Sequence, residues 1–444
     1  MSQTYCPPPP PTSRVFLPLA LVWAAMTLAA LGFVLVFGSN APYADEWEFV
    51  PALLGKEPLP SWLWAQHNEH RLPLSRLIYY TLFQITHDFR TGMFLQVALL
   101  SALALGLMRL AAHLRGRADW VDIFFPVTLL HVGHWENFVM GYQLCFALFC
   151  CLVSGLAVVA LQTQRETAFR SGVFAGVLLL LIALTGGFGL AVVPPVAAWL
   201  VYLAILVWRT GTKIRALMLL VLAALPVVYT AVYFSDYHRP PRHPPLSRDP
   251  VAIAMVTGEV LAMALGIGVS GIWWLVAVAE LAIGVGTVAL LIRQGRNPAN
   301  RPASAGLIAV AAGVSGLALA IGLGRGSMGS DMGLWSRYAL LAWPLLGTAY
   351  LVLVKAGRKW IPIVLCVAAA MAFGPNMITG MGIGAGIREH YNQIESDVWA
   401  GQPAEQIVHT RFPDSVNSGQ MDRAVESIRL LQSAGIGVFG AGNR

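Results

Sequence analysis

Runs of about 20 consecutive apolar residues recur along this chain, separated mostly by short polar loops, and they constrain its fold more than any other feature. The stretch from Val15 to Phe37 sets the pattern. In lipid, a helix satisfies every backbone N–H and C=O within its own segment, so such runs fold as helices. The runs are continuous and do not alternate, which excludes a membrane β-barrel. Only 11% of the residues are charged, against roughly 25% in a soluble domain. So few charges cannot cover a soluble surface, and disorder needs low hydrophobicity and high charge. The chain therefore reads as an all-α polytopic membrane protein.

About eleven spans are expected, near residues 15–37, 91–112, 120–131, 142–161, 171–184, 190–208, 216–234, 271–292, 303–323, 338–354 and 360–377. Lys and Arg concentrate in loops that stay in the cytoplasm. With a cytoplasmic N-terminus, the inner loops carry about 14 bases, Arg115, Arg117, Arg209, Lys213, Arg293 and Lys355 among them, against Asp119 and Glu166. The outer segments hold most of the acids. The net charge of +7 is thus mainly a topology signal and does not point to nucleic acid. Residues 251–267 are nearly apolar enough to span, but a crossing there would move Arg293, Arg296 and Arg301 outside. An interfacial or re-entrant helix carrying Glu259 fits better. The expected division is a membrane domain over 1–377, with a first outer loop at about 38–90, and a short outer tail over 378–444. The five cysteines, Cys6, Cys145, Cys150, Cys151 and Cys366, show neither metal-ligand spacing nor a disulfide framework.

The polar chemistry collects in four outer segments. The first holds Asp45-Glu46 and His67-Asn68-Glu69-His70-Arg71. The second runs from His131 and His134 through Trp135-Glu136-Asn137-Phe138 to Gln143. The third covers Asp236 to His243, and the fourth joins Arg325 to Ser336-Arg337-Tyr338. Paired carboxylates share protons unequally, so one of Asp45 and Glu46 is placed to act as a general base. Two histidines beside an acid are also the residue types that bind a divalent metal. The His67-x-x-His70 spacing suits hydrogen bonding to a polar ligand better, so no metal site is assigned and the cofactor stays open. For His131 and His134, packing is the preferred reading. Arg325 and Arg337 have the planar fork that grips phosphate. Pro73 to Thr86 reads as an amphipathic interfacial helix. Glu280 lies within a span and should face the bundle interior.

Together these features resemble the GT-C class of integral-membrane glycosyltransferases. The likeness rests on the acidic pair Asp45-Glu46 directly after the first span, the long first outer loop, and the motifs His67-Asn68-Glu69-His70-Arg71, Trp135-Glu136-Asn137-Phe138 and Ser336-Arg337-Tyr338. It extends over nearly the whole chain. The resemblance implies a GT-C-like fold, a polyprenyl-phosphate sugar donor, and a catalytic carboxylate at Asp45 or Glu46. It also implies a basic residue, Arg337 or Arg325, near the donor phosphate. His67, Glu69, His70, Arg71, Glu136, Asn137 and Tyr338 complete the expected substrate-binding set. The class's large outer C-terminal domain is missing, which favours a glycan or lipid acceptor over a protein.

The expected activity is sugar transfer on the outer face of a bacterial inner membrane, surrounded by membrane lipid. Two other readings compete. A transporter or flippase of a lipid-linked glycan would show midplane charges, repeats or broken helices. A non-catalytic subunit of an envelope assembly complex would tolerate substitution of Asp45 but not loss of the tail.

Overall fold

The computed structural model describes residues 13–240, 243–412 and 418–440. Cys6 lies outside these residues. The described chain is helical, with no strand; its only β pairing is an isolated bridge between His67 and His70. The principal helices are α1 (Ser13–Phe37), α2 (Pro73–Thr86), α3 (Arg90–Arg115), α4 (Phe124–Leu129), α5 (Trp135–Val139), α6 (Leu144–Gln162), α7 (Ala168–Ala183) and α8 (Val193–Arg209). They continue with α9 (Lys213–Ser235), α10 (Pro250–Ala262), α11 (Trp273–Gly295), α12 (Arg301–Arg325), α13 (Ala339–Lys355), α14 (Trp360–Trp399), α15 (Ala404–Arg411) and α16 (Ser418–Ala434).

Among the described residues, eight helices are long and apolar enough to cross a membrane: α1, α3, α6, α9, α11, α12, α13 and α14. Their lipid-side faces carry exposed Leu, Val and Ile, such as Leu28, Val221 and Val285. That outward apolar surface marks a multi-pass membrane protein. Three further apolar helices are shorter: α7, α8, and α10 with the turn that follows it (Pro250–Leu265). Small residues let the helices approach closely. A Cβ on Gly306 would stand 2.6 Å from the Trp199 ring, whose indole N–H donates to Pro302 O at 3.0 Å.

Residues 120–131, expected as the third span, are not one spanning helix. The six-residue α4 rises only about 9 Å, and short 3₁₀ turns at Trp120–Ile123, Val132–His134 and Gly141–Gln143 flank α4 and α5. The broken segment nonetheless runs beside most of α13. At one end Asp122 accepts two hydrogen bonds from Arg115, at 2.8 and 3.0 Å, and one from Tyr350 at 2.9 Å. At the other end Glu136 meets Arg337. Irregular backbone at this depth is tolerated only inside protein, and nearly every residue from Phe124 to Gln143 is buried. The rings of His131 and His134 stack 4.1 Å apart within the break, and His134 Nε2 lies 2.8 Å from Thr128 O.

Helix α14 does not stop near residue 377. It continues through Pro375 to Trp399, 40 residues in all, so the first part of the expected tail, residues 378–399, is helical and continuous with the last span. Asn376 ties it to the chain before α11, accepting from Gly268 N and donating to Leu265 O, both at 2.7 Å. Helix α10 begins and ends at the same end of the bundle. Ser247, just before it, donates to Leu323 O near the end of α12, and Gly266 (φ +92°) turns the chain back into α11. Glu259 on α10 receives Gly333 N at 2.9 Å and so holds the loop before α13.

Candidate functional site

The first long loop folds back over the ends of α6, α9, α12 and α13. It opens with a 3₁₀ turn, Ala44–Phe49, in which Ala44 takes a positive φ of 47°. The turn sends two adjacent carboxylates in opposite directions. Glu46 points inward and is fully buried. Its Oε1 accepts from Tyr79 OH and Tyr142 N, both at 2.8 Å, and its Oε2 accepts from Tyr43 N at 2.9 Å. Gly141 makes this possible, since a Cβ there would lie 3.2 Å from Glu46 Oε1 and 2.7 Å from Tyr79. Burial pushes the Glu46 carboxyl up to about 7 despite the three donors. Glu46 therefore fastens the loop to α2 and α6 and does not reach the cavity.

Asp45 points outward with 43% of its side chain exposed. Its partner is His67, whose ring is only 3% exposed. His67 Nε2 lies 3.3 Å from Asp45 Oδ2, and Nδ1 lies 2.9 Å from Glu48 Oε2. Burial opposes a charge on this ring, but the two carboxylates outweigh it and raise its pKa to about 9. His67 is thus an imidazolium wedged between two acids. Burial would raise the Asp45 pKa; the His67 hydrogen bond and charge, with Arg337 beyond, hold it below the usual carboxylate value.

His67 and His70 are joined by reciprocal backbone hydrogen bonds of 2.7 and 2.8 Å. A two-residue turn, Asn68-Glu69, closes this hairpin, and Asn68 supplies the positive φ of 49° that such a turn requires. The turn projects Glu69 and His70 into a cavity of about 300 Å³. Burial lowers the His70 pKa to about 4, so its ring is neutral at pH 7. Glu69 pairs with Arg325 at the end of α12 and lies 3.5 Å from His243 Nδ1.

The polar wall of the cavity carries Asp45, Glu69, His70, Arg239, His243, Arg325 and Arg337. The rest of the lining is largely apolar and includes Phe146, Phe188, Leu317 and Leu341, with the Phe188 ring 5.4 Å from that of His70. Arg337 lies over Trp335 at 4.5 Å, and its Nη1 donates to Glu136 Oε1 at 2.9 Å. Tyr338 follows it on the cavity lining.

Four of the expected binding residues stand elsewhere. His67 sits behind Asp45. Glu136 supports Arg337 from behind and also receives Ser336 Oγ at 3.3 Å. Asn137 is buried, with Nδ2 3.5 Å from Ser336 O. Arg71 donates to Trp64 O at 2.7 Å and to Asp236 Oδ1 at 2.8 Å, and it lies over the Trp64 ring at 5.0 Å. Arg71 therefore clamps the loop to the end of α9. Arg76, not expected from sequence, does similar work, donating to Ala65 O at 2.6 Å and lying over Phe49 and Trp62. Glu48 was also missed, because only the fold shows that it shares His67. Among the described residues, no group of three His, Cys, Asp or Glu side chains is arranged to hold a metal ion.

The tail covers the back of the loop. Ser427 Oγ on α16 donates to Trp47 O at 3.0 Å, Trp47 meets Phe412 and Phe439 edge-on, and Tyr391 OH on α14 donates to Pro42 O at 2.6 Å. No protein-family model matches the chain, and no curated protein or solved structure matches it either.

Proposed function

We propose that this protein is a GT-C-like membrane glycosyltransferase that uses a polyprenyl-phosphate sugar. The observation that supports this best is the mixed lining of one cavity, in which an ionised, accessible Asp45 and the guanidinium of Arg337 stand together with apolar side chains such as Phe146, Leu317 and Leu341. The apolar side chains suit the first units of a polyprenyl chain. Arg337 and Arg325 suit its phosphate. Asp45 is placed to accept the proton of an acceptor hydroxyl. The acceptor oxygen then attacks the sugar's anomeric carbon, and the bond to phosphate breaks with its electron pair on the departing phosphate. Attack from the face opposite that phosphate inverts the anomeric centre, as in the related hydrolases. The arginines lower the cost of the developing charge.

In this reading α7, α8 and the broken segment 120–139 also traverse the bilayer, giving eleven crossings. The cavity end faces outward, the basic loops lie in the cytoplasm of a bacterial inner membrane, and the acceptor is a glycan or lipid of the envelope. A transporter would draw on the broken segment; the burial of nearly every residue from Phe124 to Val139 favours the enzyme reading. The test is direct. Purified protein in lipid is given radiolabelled polyprenyl-phosphate sugars and membrane extract. Carrier-dependent transfer of label to an acceptor supports the proposal. Movement of carrier between leaflets without transfer would replace it with transport.

A further inference from the structure

A second cavity, of about 380 Å³, lies between α10, α11, α12 and α13 and opens on the outer apolar face past the exposed Leu281, Val285 and Ile292. Its lining is apolar apart from Glu280, Thr287, Ser315 and Thr348. The residue Glu280 is only 8% exposed, and its Oε1 has no hydrogen-bond partner. The hydroxyls of Thr287 and Thr348 are also buried without partners. That is unusual for this chain. Thr81, Thr128, Thr230 and Thr257 all donate to the carbonyl four residues back, which is the ordinary resting place of a helical threonine.

Unpaired polar groups inside an apolar bundle are costly, and an ionisable one within a span marks a functional site. Hydrocarbon alone would fill the space and leave all three groups unsatisfied. Water is poorly suited to so apolar a lining. No cationic side chain lines the cavity, so an anionic head such as a phosphate has no counter-charge there.

We propose that this cavity binds a neutral amphiphile, a lipid-soluble molecule whose single hydroxyl, ester or amide group meets Glu280, Thr287 and Thr348 while its hydrocarbon fills the remainder. The carboxyl of Glu280 meets the head group by hydrogen bonding. The site is independent of the proposed sugar transfer. It does share two walls with the first cavity: Leu317 and Leu341 line the first, while Ser315 and Leu345 line the second. The ligand thus rests on the helices whose ends carry Arg325 and Arg337.

The probe is a diazirine-bearing long-chain alcohol, compared with the diazirine alkane of equal length, on full-length protein in lipid nanodiscs. The alcohol should crosslink preferentially to peptides containing Glu280–Leu291 and Leu345–Ala349, and the alkane should not. Gly284→Leu should cut that labelling by about tenfold. A Cβ at Gly284 meets open space, so this variant fills the cavity without a clash. Glu280→Gln should retain labelling, and Glu280→Leu should lose about tenfold, the usual scale for one lost hydrogen bond to a buried group. Equal labelling by the alkane, or no effect of Gly284→Leu, would overturn the proposal. Loss of labelling in Glu280→Gln as complete as in Glu280→Leu would overturn recognition of the head group by simple hydrogen bonding at this position.

Discussion

His67 stands between Asp45 and Glu48, with Nε2 3.3 Å from Asp45 Oδ2 and Nδ1 2.9 Å from Glu48 Oε2. This arrangement fixes the direction in which Asp45 presents its carboxylate to the cavity. It also buries a positive charge behind the proposed base. The consequence for Asp45 is a low pKa, so it is ionised whenever a substrate arrives.

The pH dependence of stability follows from the same three groups. The folded pKa of His67, about 9, lies above the free ring's 6.5. Its stabilisation is complete below pH 6.5 and is lost as pH rises through 9. The loss amounts to about 3 kcal/mol if the whole shift reports on folding. At the acid end, Asp45 and Glu48 have lowered pKa values, so the pair is lost only as pH falls below their usual range. Unfolding midpoints measured between pH 6 and 10 should fall in the wild type, and His67→Gln should remove most of that slope. An unchanged slope in the variant would show that His67 is not the titrating group.

Glu46 should behave as a structural residue. Its carboxyl is raised to about 7 by burial, so the fold favours the neutral form and loses stability as pH rises from 4.5 through 7. Glu46→Gln removes that dependence but turns an NH₂ toward backbone donors. It should cost about 1–3 kcal/mol, the penalty for a mispaired buried group. Transfer per folded molecule should stay near wild type. A selective collapse of turnover with unchanged stability would instead make Glu46 the base.

Arg71→Ala should destabilise the first loop rather than weaken donor binding. The variant leaves Trp64 O and Asp236 without their donor and uncovers the Trp64 ring. Asp236 is 57% exposed, so the ion pair itself contributes little. The lost backbone contacts and packing account for about 2 kcal/mol. Limited proteolysis of residues 50–72 should accelerate, while the donor KM of the intact fraction stays constant.

Arg337 and Glu136 separate binding from folding. Arg337→Ala should lower kcat/KM by about 100-fold through loss of a charge-assisted phosphate contact. It also leaves buried Glu136 without its cationic partner, which destabilises the protein. Adding Glu136→Gln should restore the melting temperature without restoring activity. Recovery of both together would mean that Arg337 serves only the fold.

The sequence made the long helices legible because their apolar runs exceed a bilayer's thickness. Helix α2 coincides with the amphipathic stretch Pro73–Thr86. The broken segment was not legible, since an apolar run of 12 residues looks alike in a short span and in buried irregular backbone. The extension of α14 past residue 377 was hidden because hydropathy falls there while helical backbone continues through Arg388 and Glu395. At the site, the polar residue types at the outer segments marked Asp45, Glu69, His70, Arg325, Arg337 and Tyr338, and these line one cavity. The roles of Glu46, His67, Arg71, Glu136 and Asn137 depend on which way each side chain turns, and spacing along the chain carries no such information. The Ala44 and Asn68 backbone turns decide that direction for the first loop.

One comparison decides whether Asp45 is the base for sugar transfer. Wild type and Asp45→Asn are assayed side by side in lipid with the polyprenyl-phosphate sugar that supports transfer, alongside their unfolding midpoints. Transfer should fall by at least about 1000-fold in the variant, in the range for loss of a general base, while the protein stays folded and still binds the carrier. Full transfer by a folded Asp45→Asn protein would contradict that role for Asp45.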